Sequence, residues 1–380
     1  MSQTDLANEL TFGIWLPVYG GWLRSLNQPT APDIAACMAV AQQAEAVGFD
    51  FLYASENLLN CIHGPSIGVI DAWSLLAAIG GATSRIGLCG AVKPGFRSPL
   101  LFARMVDTIT GIARRPVSLN IVCGWWEEEF QLAGVDWLDH AGRYNRAEAF
   151  LRTINCLFDP EIDRSYFRGL VEEQSFFEAA LNRESDSPRH TFGLEKAQRP
   201  EIWIAGQSER AVEMSASWGN CLFLNGMSHD ELAAKIIAIR QSAVRWGRQV
   251  DIAINAYVIA TEETEQAQCR RERVVQRRND ATIAYFRGIM EASGASTWNN
   301  LSDQEMVDSN AGFNAGLIGS FADVREQLRR LHAIGVNRVV CQFDDPMRDV
   351  GPFMKEVIQP LQKHLSRERS TIEVESTTVI

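Results

Sequence analysis

The chain lacks the signatures that announce most enzyme classes. Its 380 residues contain no HExxH, no GxSxG, no Walker loop and no GxGxxG. These absences weigh against a metalloprotease, a nucleophile-elbow hydrolase, a P-loop enzyme and a Rossmann dinucleotide site. No run of 18 apolar residues occurs, and the opening MSQTDLANEL has no basic stretch leading into an apolar core. Neither membrane insertion nor export is signalled, and the cytosol is the expected compartment. The eight cysteines never form a CxxC pair, so they read as buried free thiols rather than a disulfide framework, and no metal site is expected. Basic residues are outnumbered, 36 Lys and Arg against 47 Asp and Glu, for a net charge of -11. Nucleic acid and anionic membranes are repelled at long range by such a chain. A small molecule or another protein is the expected partner.

What is present is an alternation. With 46% apolar residues, a sizeable core can be buried. Apolar runs predict eight strands over 10–17, 49–54, 85–92, 116–122, 201–205, 220–225, 251–260 and 336–343. Helical periodicity fills the intervals, with helices expected over 33–48, 71–83, 99–111, 139–158, 208–218, 230–246, 262–290, 321–334 and 349–364. The strands are continuously apolar, as in a parallel sheet covered on both faces. Eight such units without a composition break predict an α/β fold, a single (β/α)8 TIM barrel over 1–364. Two insertions interrupt it, at about 158–199 and 288–316, the second expected to act as a lid. The polar segment 365–380 is expected to be a flexible tail.

The carboxyl ends of barrel strands are where chemistry is expected. The fourth strand ends at Asn120, Cys123 and Gly124 and turns through Trp125 and Trp126 into three glutamates. Glu127 and Glu128 read as a solvated helix face, whereas Glu129, beside Phe130, is placed near a cofactor floor. AGQSER, 205–210, joins a strand to a helix. It reads either as a plain N-cap at Ser208 or as an anion site at a helix N-terminus. Arg143 and Tyr144 open another helix and read either as phosphate ligands or as surface groups paired at helical spacing. Lys93 and Arg97 read as solvated charges or as a small anion-receiving patch. Among six histidines, His63 is the one candidate for a site, against a structural role.

The motifs WLP (15–17), AEAVGFDFLYASEN (44–57), LNIVCGWWEEEF (119–130), HAGRY (140–144), AGQS (205–208), FNAGLIGSFADV (313–324), FDDP (343–346) and IQPL (358–361) together resemble the bacterial-luciferase-like flavin-dependent monooxygenases. Within them the chain is similar to the two-component enzymes acting on sulfones, alkanesulfonates and pyrimidines. The resemblance implies reduced FMN, delivered by a separate NAD(P)H flavin reductase, and dioxygen that oxygenates a small organic substrate. It implies cofactor contacts from Glu56, Asn57, Asn120, Glu129, Arg143, Tyr144, Gln207 and Ser208. It places Asn120, Trp125 and Tyr257 among the catalytic residues, and Cys123 in the flavin pocket wall. A homodimer or homotetramer is expected. Ala91 stands where pyrimidine oxygenases carry Thr, and Asn57 where they carry Lys. Val69 and Tyr257 stand where sulfonate enzymes carry Cys and His. Two other readings remain, a deazaflavin-dependent hydride-transfer enzyme of the same superfamily and a non-catalytic flavin-binding barrel.

Overall fold

The structure, a computed structural model, describes residues 9–28, 31–158, 198–293 and 301–377. The described residues form nine strands: β1 (Thr11–Trp15), β2 (Phe51–Ala54), β3 (Gly87–Val92), β4 (Val117–Val122), β5 (Ile202–Ala205), β6 (Cys221–Leu224), β7 (Asp251–Thr261), β8 (Ile318–Ser320) and β9 (Arg338–Phe343). All pairings are parallel. Eight strands close a ring in the order β1, β2, β3, β4, β5, β6, β7, β9 and back to β1. These are the eight expected strands. The three-residue β8 is additional and pairs beyond the ring with the end of the long β7, at Ile259 to Thr261.

The covering helices are α1 (Ile34–Val47), α2 (Ala72–Ala82), α3 (Pro99–Ala113), α4 (Glu127–Leu132), α5 (His140–Leu157), α6 (Glu209–Trp218), α7 (His229–Arg245), α8 (Thr264–Gln276), α9 (Asp280–Ser293), α10 (Phe321–Ile334), α11 (Pro346–Phe353) and α12 (Gln359–Thr377). Their starts are chemically marked. Side chains of Asp33, Asp71, Asp139 and Ser208 accept from backbone N–H groups of the first turns of α1, α2, α5 and α6. Ser228 and Ser320 form full capping boxes with Glu231 and Asp323.

The barrel interior is filled by aromatic rings. Trp15, Tyr53 and Phe223 meet with centroids 4.8 to 5.8 Å apart, and Phe51 packs edge-on against Trp203 at 5.4 Å. Gly13 makes room for this: a Cβ there would lie 2.1 Å from the Phe51 ring. Below the rings, at the strand starts, Arg338 donates to both Glu201 and Asp251 and closes the amino end. The site is therefore confined to the other end.

Periodicity blurred several local features. The expected helix over 262–290 is two helices, because Asn279 accepts from the N–H groups of Ala281 and Thr282 and starts α9 afresh. Helix α12 continues through most of the segment whose composition reads as a tail. Most of the first insertion, 159–197, and part of the second, 294–300, lie outside the described residues. The rest of the second insertion holds the last turn of α9 and two short 3-10 turns, Glu305–Val307 and Ser309–Ala315. It packs onto β7 and bridges Leu23 through Asp308.

Candidate functional site

A cavity of about 750 Å³ opens at the carboxyl ends of the strands, a volume suited to a cofactor plus a small substrate. Its floor is the top of the aromatic column, with Trp15, Tyr53 and Phe223 exposed to it. The loop after β1 adds Tyr19, Trp22 and Arg24.

One side of the cavity suits a phosphate. Gly206 has φ +144°, and a Cβ there would stand 2.9 Å from the Ala211 Cβ and 3.1 Å from the Tyr144 hydroxyl. Backbone conformation and space both favour glycine, which leaves the N-terminus of α6 accessible. Ser208 caps that helix through Ala211 N and lies 3.0 Å from the Tyr144 hydroxyl. Lys235 donates to the Gln207 carbonyl at 2.6 Å, bringing an ammonium to the same wall. Arg143 stacks on Trp137 at 4.1 Å and donates to the Leu138 carbonyl, yet its buried Nε has no partner. Burial lowers the Arg143 pKa and pushes the Tyr144 phenol up to about 12, so the phenol remains a donor at neutral pH. The open helix end, two cations and an unsatisfied buried donor fit the phosphate of a bound flavin.

A buried polar chain lines the opposite part of the mouth. Glu56 accepts from Lys93 N at 2.7 Å and pairs with Arg97, which also reaches Asp71 at 3.1 Å. Burial nevertheless raises the Glu56 pKa. Lys93 pairs with Glu129 and donates to Asn57 Oδ1. Asn57 Nδ2 donates in turn to the Tyr19 hydroxyl and to Cys61 Sγ, the latter at 3.7 Å. The expectation of solvated charges at 93 and 97 is corrected: Lys93 is 2% exposed and Arg97 is held by two carboxylates.

Of the residues singled out from sequence, Glu56, Asn57, Trp125, Arg143, Tyr144, Gln207 and Ser208 all line this one cavity. Cys123 lines it too, its thiol pushed up to about 12 by burial. Three others stand behind the wall. Asn120 is fully buried and donates to the Tyr53 hydroxyl at 2.7 Å, leaving its own Oδ1 unpartnered. Glu129 is fully buried, and besides Lys93 it accepts from Leu58 N at 2.7 Å and Leu59 N at 3.2 Å. It ties the loop after β2 to helix α4. Tyr257 is covered by the 3-10 turn Ser309–Ala315, packs edge-on against Phe313 at 5.1 Å, and has an unpartnered hydroxyl. His63 is buried outside the cavity wall, its pKa lowered to about 4 by burial and by Arg24. Sequence reasoning missed Tyr19, Trp22, Arg24, Tyr53, Phe223, Asn225 and Lys235 as wall residues. Trp15 was signalled only through the WLP motif.

Residues 10–338 match the family model described as luciferase-like monooxygenase. The chain belongs to that family. Among relatives of this luciferase-like monooxygenase, an FMNH(2)-dependent dimethylsulfone monooxygenase of Pseudomonas fluorescens is 30% identical, covering 93% of this chain and 94% of its own. The pyrimidine monooxygenase RutA of Pseudomonas syringae pv. syringae is 26% identical, covering 96% of this chain and 100% of its own. The solved structure of a long-chain alkane monooxygenase, LadA, superposes with a TM-score of 0.74 at 17% identity, covering 96% of this chain and 92% of its own. Its likeness supports the barrel fold alone. No helix among the described residues is long and apolar enough to cross a membrane, and no cluster of His, Cys, Asp and Glu there suits a metal ion.

Proposed function

We propose that this luciferase-like monooxygenase is a two-component enzyme. It takes FMNH2 from a separate NAD(P)H flavin reductase and uses dioxygen to oxygenate a small organic molecule carrying a sulfonyl or amide-like group. The observation that carries this reading is the cavity's division into a phosphate-suited side, at Gly206, Ser208 and Arg143, and an aromatic floor beside a buried polar chain. When bound, FMNH2 would supply the electrons and the site at which dioxygen is activated.

The chain's own part is to bind, orient and exclude water. The N-terminus of α6, the Tyr144 phenol and the cations Arg143 and Lys235 would hold the phosphate. Trp15, Trp22 and Phe223 remove water from the reaction space and provide apolar surface for a ring and a small substrate. Asn120, behind the wall, donates to the hydroxyl of Tyr53 and so fixes a residue that lines the cavity. The Lys93–Glu129 pair holds Asn57 and the loop after β2 against it. The test is NADH-dependent oxygen uptake with a flavin reductase, screened over sulfones, sulfonates and heterocyclic amides. Stoichiometric oxygenated product supports the reading. Oxidised-FMN binding without product from any of them supports a non-catalytic barrel instead.

A further inference from the structure

We propose that Tyr19 is a specificity-determining hydrogen-bond donor that grips an acceptor oxygen of the substrate, with Asn57, Lys93 and Glu129 as the residues that aim it. The inference deepens the monooxygenase reading and rests on it for what the cavity turns over. The direction of the hydrogen bonds follows from elementary donor inventories. An ammonium only donates, so the Asn57 atom facing Lys93 must be the amide oxygen. The amide nitrogen therefore faces Tyr19, and its two protons go to the Tyr19 oxygen and to Cys61 Sγ. Tyr19 accepts at this contact and cannot donate there.

Ser55 adjoins the same phenol; its oxygen accepts from Trp15 Nε1 at 3.2 Å, and its hydroxyl proton is free to be given to Tyr19. With Asn57 donating to the Tyr19 oxygen, the phenolic proton is available to a partner in the cavity, which Tyr19, Ser55, Asn57 and Lys93 all line. Burial raises the Tyr19 pKa well above its ordinary value, so the proton is retained at neutral pH. The donors run in one direction, Lys93 to Asn57 to Tyr19 to ligand, starting from a cation, and each bond strengthens the next. The ligand group that fits is an uncharged oxygen with free lone pairs, sulfonyl or carbonyl, with Trp15 and Trp22 beside it for the hydrocarbon part.

The test uses the full chain without flavin, titrated by tryptophan fluorescence with dimethyl sulfone and with dimethyl sulfide, which keeps both methyl groups and lacks the acceptor oxygens. The wild type should bind the sulfone more tightly. Tyr19→Phe should weaken sulfone binding about 3- to 10-fold, the scale of one neutral hydrogen bond, and leave the sulfide unchanged. Asn57→Asp presents an acceptor to Tyr19, turns the phenolic proton away from the cavity, and should reproduce the sulfone loss with Tyr19 still in place. With reductase and reduced FMN, both variants should raise the sulfone KM more than they lower kcat, and Tyr19→Phe should leave the affinity for reduced FMN unchanged. Equal loss of both probes, an unaltered Tyr19→Phe, an unaltered Asn57→Asp, or a wild type that does not distinguish the probes would each overturn the proposal. If the wild type fails to bind reduced FMN, the flavin reading falls, and the flavin-free titration still decides the role of Tyr19.

Discussion

Lys93 and Glu129, 36 residues apart, form an ion pair whose side chains are 2% and 0% exposed. It joins the loop after β3 to the short helix α4, and Glu129 also holds the backbone of Leu58 and Leu59. Three adjacent loops of the mouth are fastened at one point.

Breaking one half of such a pair leaves a buried charge uncompensated. Glu129→Gln is expected to lower stability by about 3–5 kcal/mol, measured by urea unfolding. The double variant Lys93→Met, Glu129→Leu should recover much of that loss, because no buried charge remains. Recovery of stability should not restore substrate turnover, since Asn57 would no longer be oriented.

Phosphate recognition is expected to be separable from ring recognition. Gly206→Ala forces an L residue to φ +144° and into contact with Ala211 and the Tyr144 hydroxyl. It should weaken FMN binding at least about 10-fold, whereas riboflavin, which has no phosphate, should lose far less. Arg143→Gln should show the same selectivity in parallel fluorescence titrations.

Cys123 lies in the cavity wall with a thiol that burial keeps protonated. A thiol with its pKa near 12 is a poor nucleophile at neutral pH. Cys123→Ser should therefore keep most of the oxygen-uptake rate, and loss of more than about 90% of turnover would contradict a passive wall role.

His63 gives a pH signature. The folded imidazole stays neutral down to about pH 4, while an unfolded one protonates near 6.5. Between these values the unfolded chain binds more protons, so His63 makes stability fall as pH drops from about 6.5 to 4, by on the order of 3 kcal/mol. Unfolding free energies measured across that interval should fall less steeply for His63→Gln than for the wild type.

Much of the barrel was legible because its strands are buried on both faces and so read as unbroken apolar runs, such as FLYA in β2 and CLFL in β6. Helix starts were legible where Asp33, Asp139 and Ser208 announce caps. Glu129 could be told from Glu127 and Glu128 by its place beside the buried Phe130. The charge pattern misled at Lys93 and Arg97, whose partners Glu129 and Glu56 lie 36 and 41 residues away, on other turns of the barrel. Tyr19, Trp22 and Arg24 sit in a loop with no period. Their burial depends on the 3-10 segment and α9 closing over them, as when Arg24 reaches the Met306 carbonyl and stacks on Phe286. Nothing local to residues 18–25 records that contact.

The most direct test of the account is an anaerobic titration of the purified protein with FMNH2 and with reduced riboflavin, followed by exposure to dioxygen with dimethyl sulfone present. Saturable FMNH2 binding and markedly weaker riboflavin binding are expected, with oxygen consumption coupled to oxygenated product when a suitable sulfonyl or amide-like substrate is supplied. Failure to bind FMNH2, or equal affinity for the two flavins, would contradict it.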